Sequence, residues 1–292
     1  MKLVTGYMND DILRHKLNAL TQKTFGFDFE DWVTGGYFQG DYIPYSFEDG
    51  SEIISNASAN IMKFCQNGER KAYIQIGTVM TDNKHRRQGL AGRLINTIIA
   101  EYREECDGIY LFGDLSALGF YKKLGFKTAN QYAYTIKNSV IANLKRSNGF
   151  KRIKPADNAL REKYMSYVKS SIISSAFEQT NKFGLQMFYT SGLDNVYYSQ
   201  NLDCFIVADI ETDSTALQSV LYKSYIPLER IISEIPTGCG EIRLGFTPLA
   251  QDAEICDSRL FDGGGDYRLF YLGNSLESIE KERLFFPTLS HA

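Results

Sequence analysis

Apolar positions recur at helical spacing over residues 10–25, with Ile12, Leu13, Leu17 and Leu20 marking one side. The spacing predicts an amphipathic helix with Asp10 as its cap. Residues 27–45 lose that period and are rich in aromatic, glycine and acidic residues. They read as a loop or a broken helix. Three strand-like runs follow, at residues 42–47, 53–64 and 71–81. Asp49-Gly50 and Asn67-Gly68 separate them, and both pairs are strong hairpin signals. Three consecutive antiparallel strands are expected.

The period of 3.6 returns over residues 88–106, carried by Leu90, Leu94, Ile95, Ile98, Ile99 and Tyr102. A short apolar strand is expected at residues 109–112. A short helix is expected at residues 116–124, closed by Gly125 as a C′ glycine. Residues 126–128 and 132–136 read as two final strands. Helix, three strands, helix, strand, helix and two strands make an α+β layout with one β-α-β crossover.

Residues 138–155 read as a connection, punctuated by Ser147, Asn148, Gly149 and Pro155. The length of 292 residues suits two domains, placed at 1–148 and 149–292. The second is a smaller α+β unit. It shows a helix over 158–179, a hairpin from 204–210 and 215–222, and a short helix over 228–235 that Pro236 stops. Strands at 241–246 and 267–272 and a helix over 276–284 complete it. No exact repeat is present. The order of hairpin, helix, strand and strand resembles a degenerate copy of the first half.

Composition narrows the function classes. With 43% hydrophobic and 23% charged residues, the chain can bury a core without staples. A formal net charge of −3 argues against a broad basic face for nucleic acid. Asp10, Asp11 and Arg14 interrupt any early apolar segment, and no run of about 18 apolar residues occurs. Neither a secretory leader nor a membrane span is expected, so the cytoplasm is the expected compartment. The cysteines Cys65, Cys106, Cys204, Cys239 and Cys256 are odd in number and form no Cys-x-x-Cys pair. They read as reduced thiols. His15, His85 and His291 lack metal-ligand spacing, and no metal is expected. Gly263-Gly264-Gly265 lacks the lysine and hydroxyl residue of a phosphate loop and reads as a flexible turn.

The segment Thr81-Asp-Asn-Lys-His-Arg-Arg-Gln-Gly-Leu-Ala-Gly-Arg-Leu94 lies where a strand ends and a helix begins. A helix N-terminus presents unpaired N–H groups and partial positive charge. Gly89 and Gly92 let an anion approach the backbone, and Arg86, Arg87 and Arg93 add charge. The combination suits a pyrophosphate. It equally describes a surface loop with arginines ahead of a helix.

Here the sequence resembles the GNAT (Gcn5-related N-acetyltransferase) superfamily, whose signature matches Arg86-x-x-Gly89-x-Ala91. A second signature is similar to Asp114-Leu-Ser-Ala-Leu-Gly-Phe-Tyr-Lys-Lys-Leu-Gly-Phe126. The match runs through Asp114, Ala117, Phe120, Tyr121, Lys123, Gly125 and Phe126. Gly89 and Tyr121 are 32 residues apart, room for a helix and a strand. The resemblance covers roughly residues 1–137.

It implies a mixed sheet with flanking helices, in which two parallel strands splay around coenzyme A. The co-substrate would be acetyl-CoA. Backbone at Val79, Met80 and Thr81 would pair with the pantetheine arm. Arg86, Arg87, Gln88, Gly89, Leu90, Ala91 and Gly92 would hold the pyrophosphate, with Asp114 counted among the coenzyme-binding positions. Asp114 also suits a cap for the Ser116 helix. Tyr121 would be the catalytic acid that protonates the leaving thiolate, while Phe120 and Phe126 pack the wall.

A base is not legible. Gln75 stands on the strand where relatives often carry a carboxylate, and an amide cannot take the proton. Asp82 lies in a turn, and His85 is either a base or a solvated loop histidine. The acceptor region would use Asp28, Glu30, Asp31, Trp32, Tyr37, Phe38, Asp41 and Tyr42, carboxylates and rings that suit a cationic amine. The same stretch also reads as a solvated acidic loop with buried rings. An N-acetyltransferase acting on a small-molecule or peptide amine is expected, with the second half shaping the acceptor site or joining two copies in a homodimer. The alternative is a non-catalytic acetyl-CoA sensor.

Overall fold

The computed structural model describes residues 1–236 and 240–292. Cys239 lies outside them. The first half runs β1 Lys2–Thr5, α1 Asp11–Phe25, α2 Glu30–Thr34, β2 Tyr42–Asp49, β3 Glu52–Gln66, β4 Glu69–Thr81, α3 Leu90–Tyr102, β5 Gly108–Asp114, α4 Leu118–Lys123, β6 Lys127–Ala129 and β7 Gln131–Ile136. Then come α5 Asn138–Asn143, β8 Lys151–Arg152, α6 Asn158–Ser170, β9 Phe177–Gln179, α7 Phe183–Thr190, β10 Val196–Ser199, β11 Cys204–Ile210 and β12 Ser214–Leu221. The chain ends with α8 Leu228–Ser233, β13 Glu241–Leu244, β14 Cys256–Phe261, β15 Tyr267–Leu272 and α9 Ser278–Lys281.

Local chemistry sets many of these bounds. Asp10 accepts from the Leu13 amide at 3.0 Å and starts α1, and Gly26 closes it in the left-handed region. Asn67 and Gly68, both at positive φ, make the β3–β4 turn. Leu94, Ile95 and Ile98 of α3 are fully buried against Ile74, Ile109 and Leu111 of the sheet.

The first sheet has the order β1-β2-β3-β4-β5-β15-β6, with β9 also pairing β3. The second has the order β14-β7-β13-β12-β11-β10-β8. Each contains antiparallel strands leading into one parallel pair, β4 with β5 across α3 and β12 with β13 across α8. The next strand of each sheet comes from the other half: β15 pairs β5 and β6, and β7 pairs β13 and β14. The halves thus share a layout and exchange a strand.

That exchange departs from the sequence reading. Residues 132–136 were expected to finish the first sheet and instead lie in the second, while residues 267–272 do the reverse. A cut at residue 148 orders the chain but does not separate the sheets. The reason is that an apolar run reports burial of its faces, not which edge it joins. Rings from both halves meet in one core, where Phe64 stacks on Phe177 at 4.4 Å and Tyr110 on Phe286 at 4.3 Å.

Other elements are shorter than their periodicity suggests. The helix expected over 158–179 stops at Ser170, because Ser171 is extended and the Ile172 amide bonds the Tyr222 carbonyl. The helix expected over 276–284 splits into a tight turn at Asn274–Glu277 and α9. The one expected over 116–124 splits into a turn at Leu115–Ala117 and α4. Cys65 and Cys106 are half-buried, Cys204 and Cys256 are buried, and all are free thiols. Among the described residues no helix is long and apolar enough to cross a membrane.

Candidate active site

β4 and β5 pair in parallel only from Tyr73–Gly108 to Gln75–Tyr110. β4 then follows β3 to Thr81, and β5 follows β15 to Asp114. The two strands part, and a cavity of about 570 Å³ lies in the opening. Gly77, Thr78 and Val79 of β4, Gly113 and Asp114 of β5 and Tyr121 of α4 all line it. This volume is typical of a small-molecule site.

The β4 wall is irregular. The β3–β4 register shifts between Asn56 and Ser58, and Thr78 opposite has φ +41°. A β-branched residue in that region is strained by about 1–3 kcal/mol, and its neighbours must hold it there. Asn56 Nδ2 donates to the Thr78 carbonyl at 2.9 Å, while Tyr42 and Ser58 hydroxyls bond Thr78 Oγ1 at 2.8 and 3.0 Å. The bulge lies where residues 77–79 line the cavity.

Tyr121 is only 6% exposed and packs against Phe270, Phe120 and Phe126. Burial, helped by the nearby Asp114 charge, pushes its phenol up to about 12, so it stays protonated at neutral pH. Asp114 is exposed, accepts from the Ser116 amide at 2.7 Å and caps the turn before α4. Hydrogen bonding to the Ser116 side chain, and then to its amide, holds the Asp114 carboxyl below the ordinary range.

At the start of α3, Arg87 and Gly89 both have positive φ, +64° and +76°. Gly89 is the N-cap and offers no side chain to the first-turn N–H groups. Arg86, Arg87, Gln88 and Gly89 are exposed. The Arg86 side chain donates to the Thr81 carbonyl at 3.2 Å, which ties the loop to the end of β4. Arg93 lies over the Phe47 ring at 4.6 Å instead of joining the loop.

The far wall of the cavity is aromatic. Phe27, Phe29 and Trp32 meet Phe188 of α7, with Phe27–Phe188 at 5.5 Å, and Tyr42 packs on Phe29 at 4.8 Å. Trp32 Nε1 donates to the Gly184 carbonyl at 2.7 Å and docks α7 on α2. Asp41 also lines the cavity.

Residues 9–126 match the family model described as the acetyltransferase (GNAT) family. Residues 9–126 form a GNAT domain. That domain is of the acyltransferase, N-acetyltransferase type. Solved structures share the fold across both halves of the chain. A conserved protein from Enterococcus faecalis V583 is 14% identical with TM-score 0.56, covering 93% of this chain and 72% of its own. A GCN5-related N-acetyltransferase from Kribbella flavida is 15% identical with TM-score 0.56, covering 92% and 71%. Eis1 from Mycobacterium abscessus is 13% identical with TM-score 0.55, covering 92% and 73%. No curated relative matches the sequence.

Within the GNAT domain the sequence-predicted residues fall into three places. Val79, Asp114 and Tyr121 line the cavity. Arg86 to Gly89 form the exposed loop, with Ala91 and Gly92 half-buried on the first turn of α3. Met80 and Leu90 are buried in core clusters, and Thr81 bonds Ser55 by its hydroxyl. Of the acidic acceptor candidates only Asp41 lines the cavity. Glu30 is bonded to Arg14 and Asn18, Asp28 caps the Glu30 amide, and Asp31 is exposed.

Several cavity residues were not anticipated. Phe188, Tyr189 and Asn181 come from the second half, and His291 from the final turn. The His291 ring stacks on Phe112 at 3.8 Å, and burial lowers its pKa to about 4, so it is neutral at pH 7. The Ala292 carbonyl accepts from Gln75 Nε2 at 3.4 Å. Gly77 makes room, since a Cβ there would sit 2.5 Å from that oxygen.

Proposed function

We propose that the chain transfers the acetyl group of acetyl-CoA to a primary amine of a small molecule or peptide. The parting of β4 from β5, with Tyr121 at the opening, is the observation that carries this reading. The open edge of residues 77–81 suits a pantetheine amide, and the loop at residues 86–92 suits a pyrophosphate.

In the reaction the neutral amine attacks the thioester carbonyl and a C–N bond forms. The tetrahedral oxyanion then collapses, the C–S bond breaks, and sulfur takes a proton from the Tyr121 hydroxyl. The proton lost by nitrogen returns to Tyr121 through water. A phenol at about 12 is a weak acid in water. The thiolate forms in the same low-dielectric opening, which raises its basicity too and keeps the transfer matched. Backbone N–H groups at the β4 bulge beside Thr78 would offer the oxyanion a donor. The second half contributes Phe188 and Asn181 to the acceptor wall.

Release of free thiol from acetyl-CoA, followed over a panel of amines, tests the proposal. Tyr121→Phe should lower turnover by about 10²–10⁴-fold while coenzyme binding persists. No thiol release with any amine, or a Tyr121→Phe variant as fast as the parent, would contradict it.

A further inference from the structure

We infer that the acceptor is a monocationic primary amine with an aromatic or compact apolar body, anchored at Asp41 and packed on Phe27, Phe29, Trp32 and Phe188. This rests on the acetyl-transfer reading above and narrows it.

The cavity supplies two kinds of surface on its acceptor side. One is the ring wall, where Phe29–Phe188 and Trp32–Phe188 centroids lie 6.0 and 5.8 Å apart. Exposed Phe25 and Tyr189 continue it to the mouth, at 49% and 46% exposure. An apolar body gains by leaving water against such rings, and a cation gains over their faces.

The other surface is the carboxylate of Asp41. Asp114, the cavity's other acid, caps the turn before α4. Asp41 is half-buried, and burial raises its pKa, with the Asn181 side chain and the Lys63 charge acting the other way. An ionised carboxyl disfavoured by burial is relieved by an incoming ammonium, and Asp41 takes one proton from it to leave the neutral amine that attacks the thioester. With Asp114 committed to its turn, Asp41 is left to pair one cation. A polyamine or aminoglycoside would leave its remaining charges against rings, where a desolvated charge is costly. The acids that would suit a polycation, Asp28, Glu30 and Asp31, do not line the cavity. The amide side chains of Gln39 and Asn60 also line it, and they add polar contacts without charge.

The test measures thiol release with phenylethylamine, tryptamine, spermidine and a lysine-containing peptide. The aromatic amines should exceed spermidine and the peptide at least tenfold in kcat/KM. Asp41→Asn should raise KM for phenylethylamine at least tenfold, and Phe188→Ala should narrow the preference. Thermal stabilisation by acetyl-CoA should persist in both variants, which shows that they are folded and bind coenzyme. Spermidine or the peptide used as well as the aromatic amines would overturn the inference and leave acetyl transfer standing. So would an unchanged KM in Asp41→Asn. No acetyl-CoA binding and no turnover with any amine would remove the acetyl-transfer reading, and this inference with it.

Discussion

The ring of Tyr121 rests on Gly113: a Cβ at Gly113 would lie 2.6 Å from Tyr121 Cε2. The phenol reaches the opening because β5 carries no side chain at that point. Gly113→Ala must displace the ring. It is expected to lower turnover at least tenfold, with acetyl-CoA affinity changed by only a few fold. Steady-state kinetics beside calorimetric binding would check this, and parental turnover in Gly113→Ala would contradict it.

The loop ahead of α3 makes a separable prediction. Gly89 has φ +76° with open space where a Cβ would go, so a substitution there strains the backbone without a clash. Gly89→Val should cost about 1–2 kcal/mol in local strain and weaken acetyl-CoA binding as the first-turn N–H groups shift. Titration calorimetry reads the affinity directly.

Asp41 gives a pH dependence whose sign is fixed. Burial raises its pKa, so the folded protein holds that proton more tightly than the unfolded chain. Between the two pKa values stability falls as pH rises. Asp41→Asn removes that cost at neutral pH. Its Tm should match or exceed the parent's at pH 7, with the difference fading toward acid. A clearly lower Tm at pH 7 would contradict this.

His291 acts in the opposite direction. Its pKa is lowered by burial from the ordinary 6.5 to about 4, so the unfolded chain binds the proton first. Its contribution is fully present above about pH 6.5 and is lost as pH falls toward 4. Thermal unfolding from pH 7 to 4 should decline less steeply in His291→Gln than in the parent.

Gly149 is required by a buried carboxylate. Its Cβ would fall 2.0 Å from Glu234 Oε2, which accepts from Ser199 at 2.6 Å in the core of the second half. Gly149→Ala should lose about 1–3 kcal/mol of stability, read by denaturant unfolding.

Local features were the ones legible in the sequence. Asp10, Asn67-Gly68 and Gly125 act within a few residues of themselves, so their elements were placed from composition alone. Arg86-x-x-Gly89 and the Tyr121 motif also carry their context with them. The exchange of β7 and β15 was not legible, because their apolar faces fit either sheet edge. Glu30 shows the same limit at the site. It read as an acceptor carboxylate, yet the Arg14 guanidinium, 16 residues earlier, turns it away from the cavity. Phe188 and His291 reach the cavity only through tertiary packing, and nothing in their neighbouring sequence marks them.

The central claim is that the opening between β4 and β5 binds acetyl-CoA. Thermal unfolding with and without excess acetyl-CoA tests it most directly. At about 100 times its dissociation constant the ligand should stabilise the fold by roughly 2.7 kcal/mol, a rise of several degrees that Gly89→Val diminishes. No shift at millimolar acetyl-CoA, with the protein folded, would contradict the account.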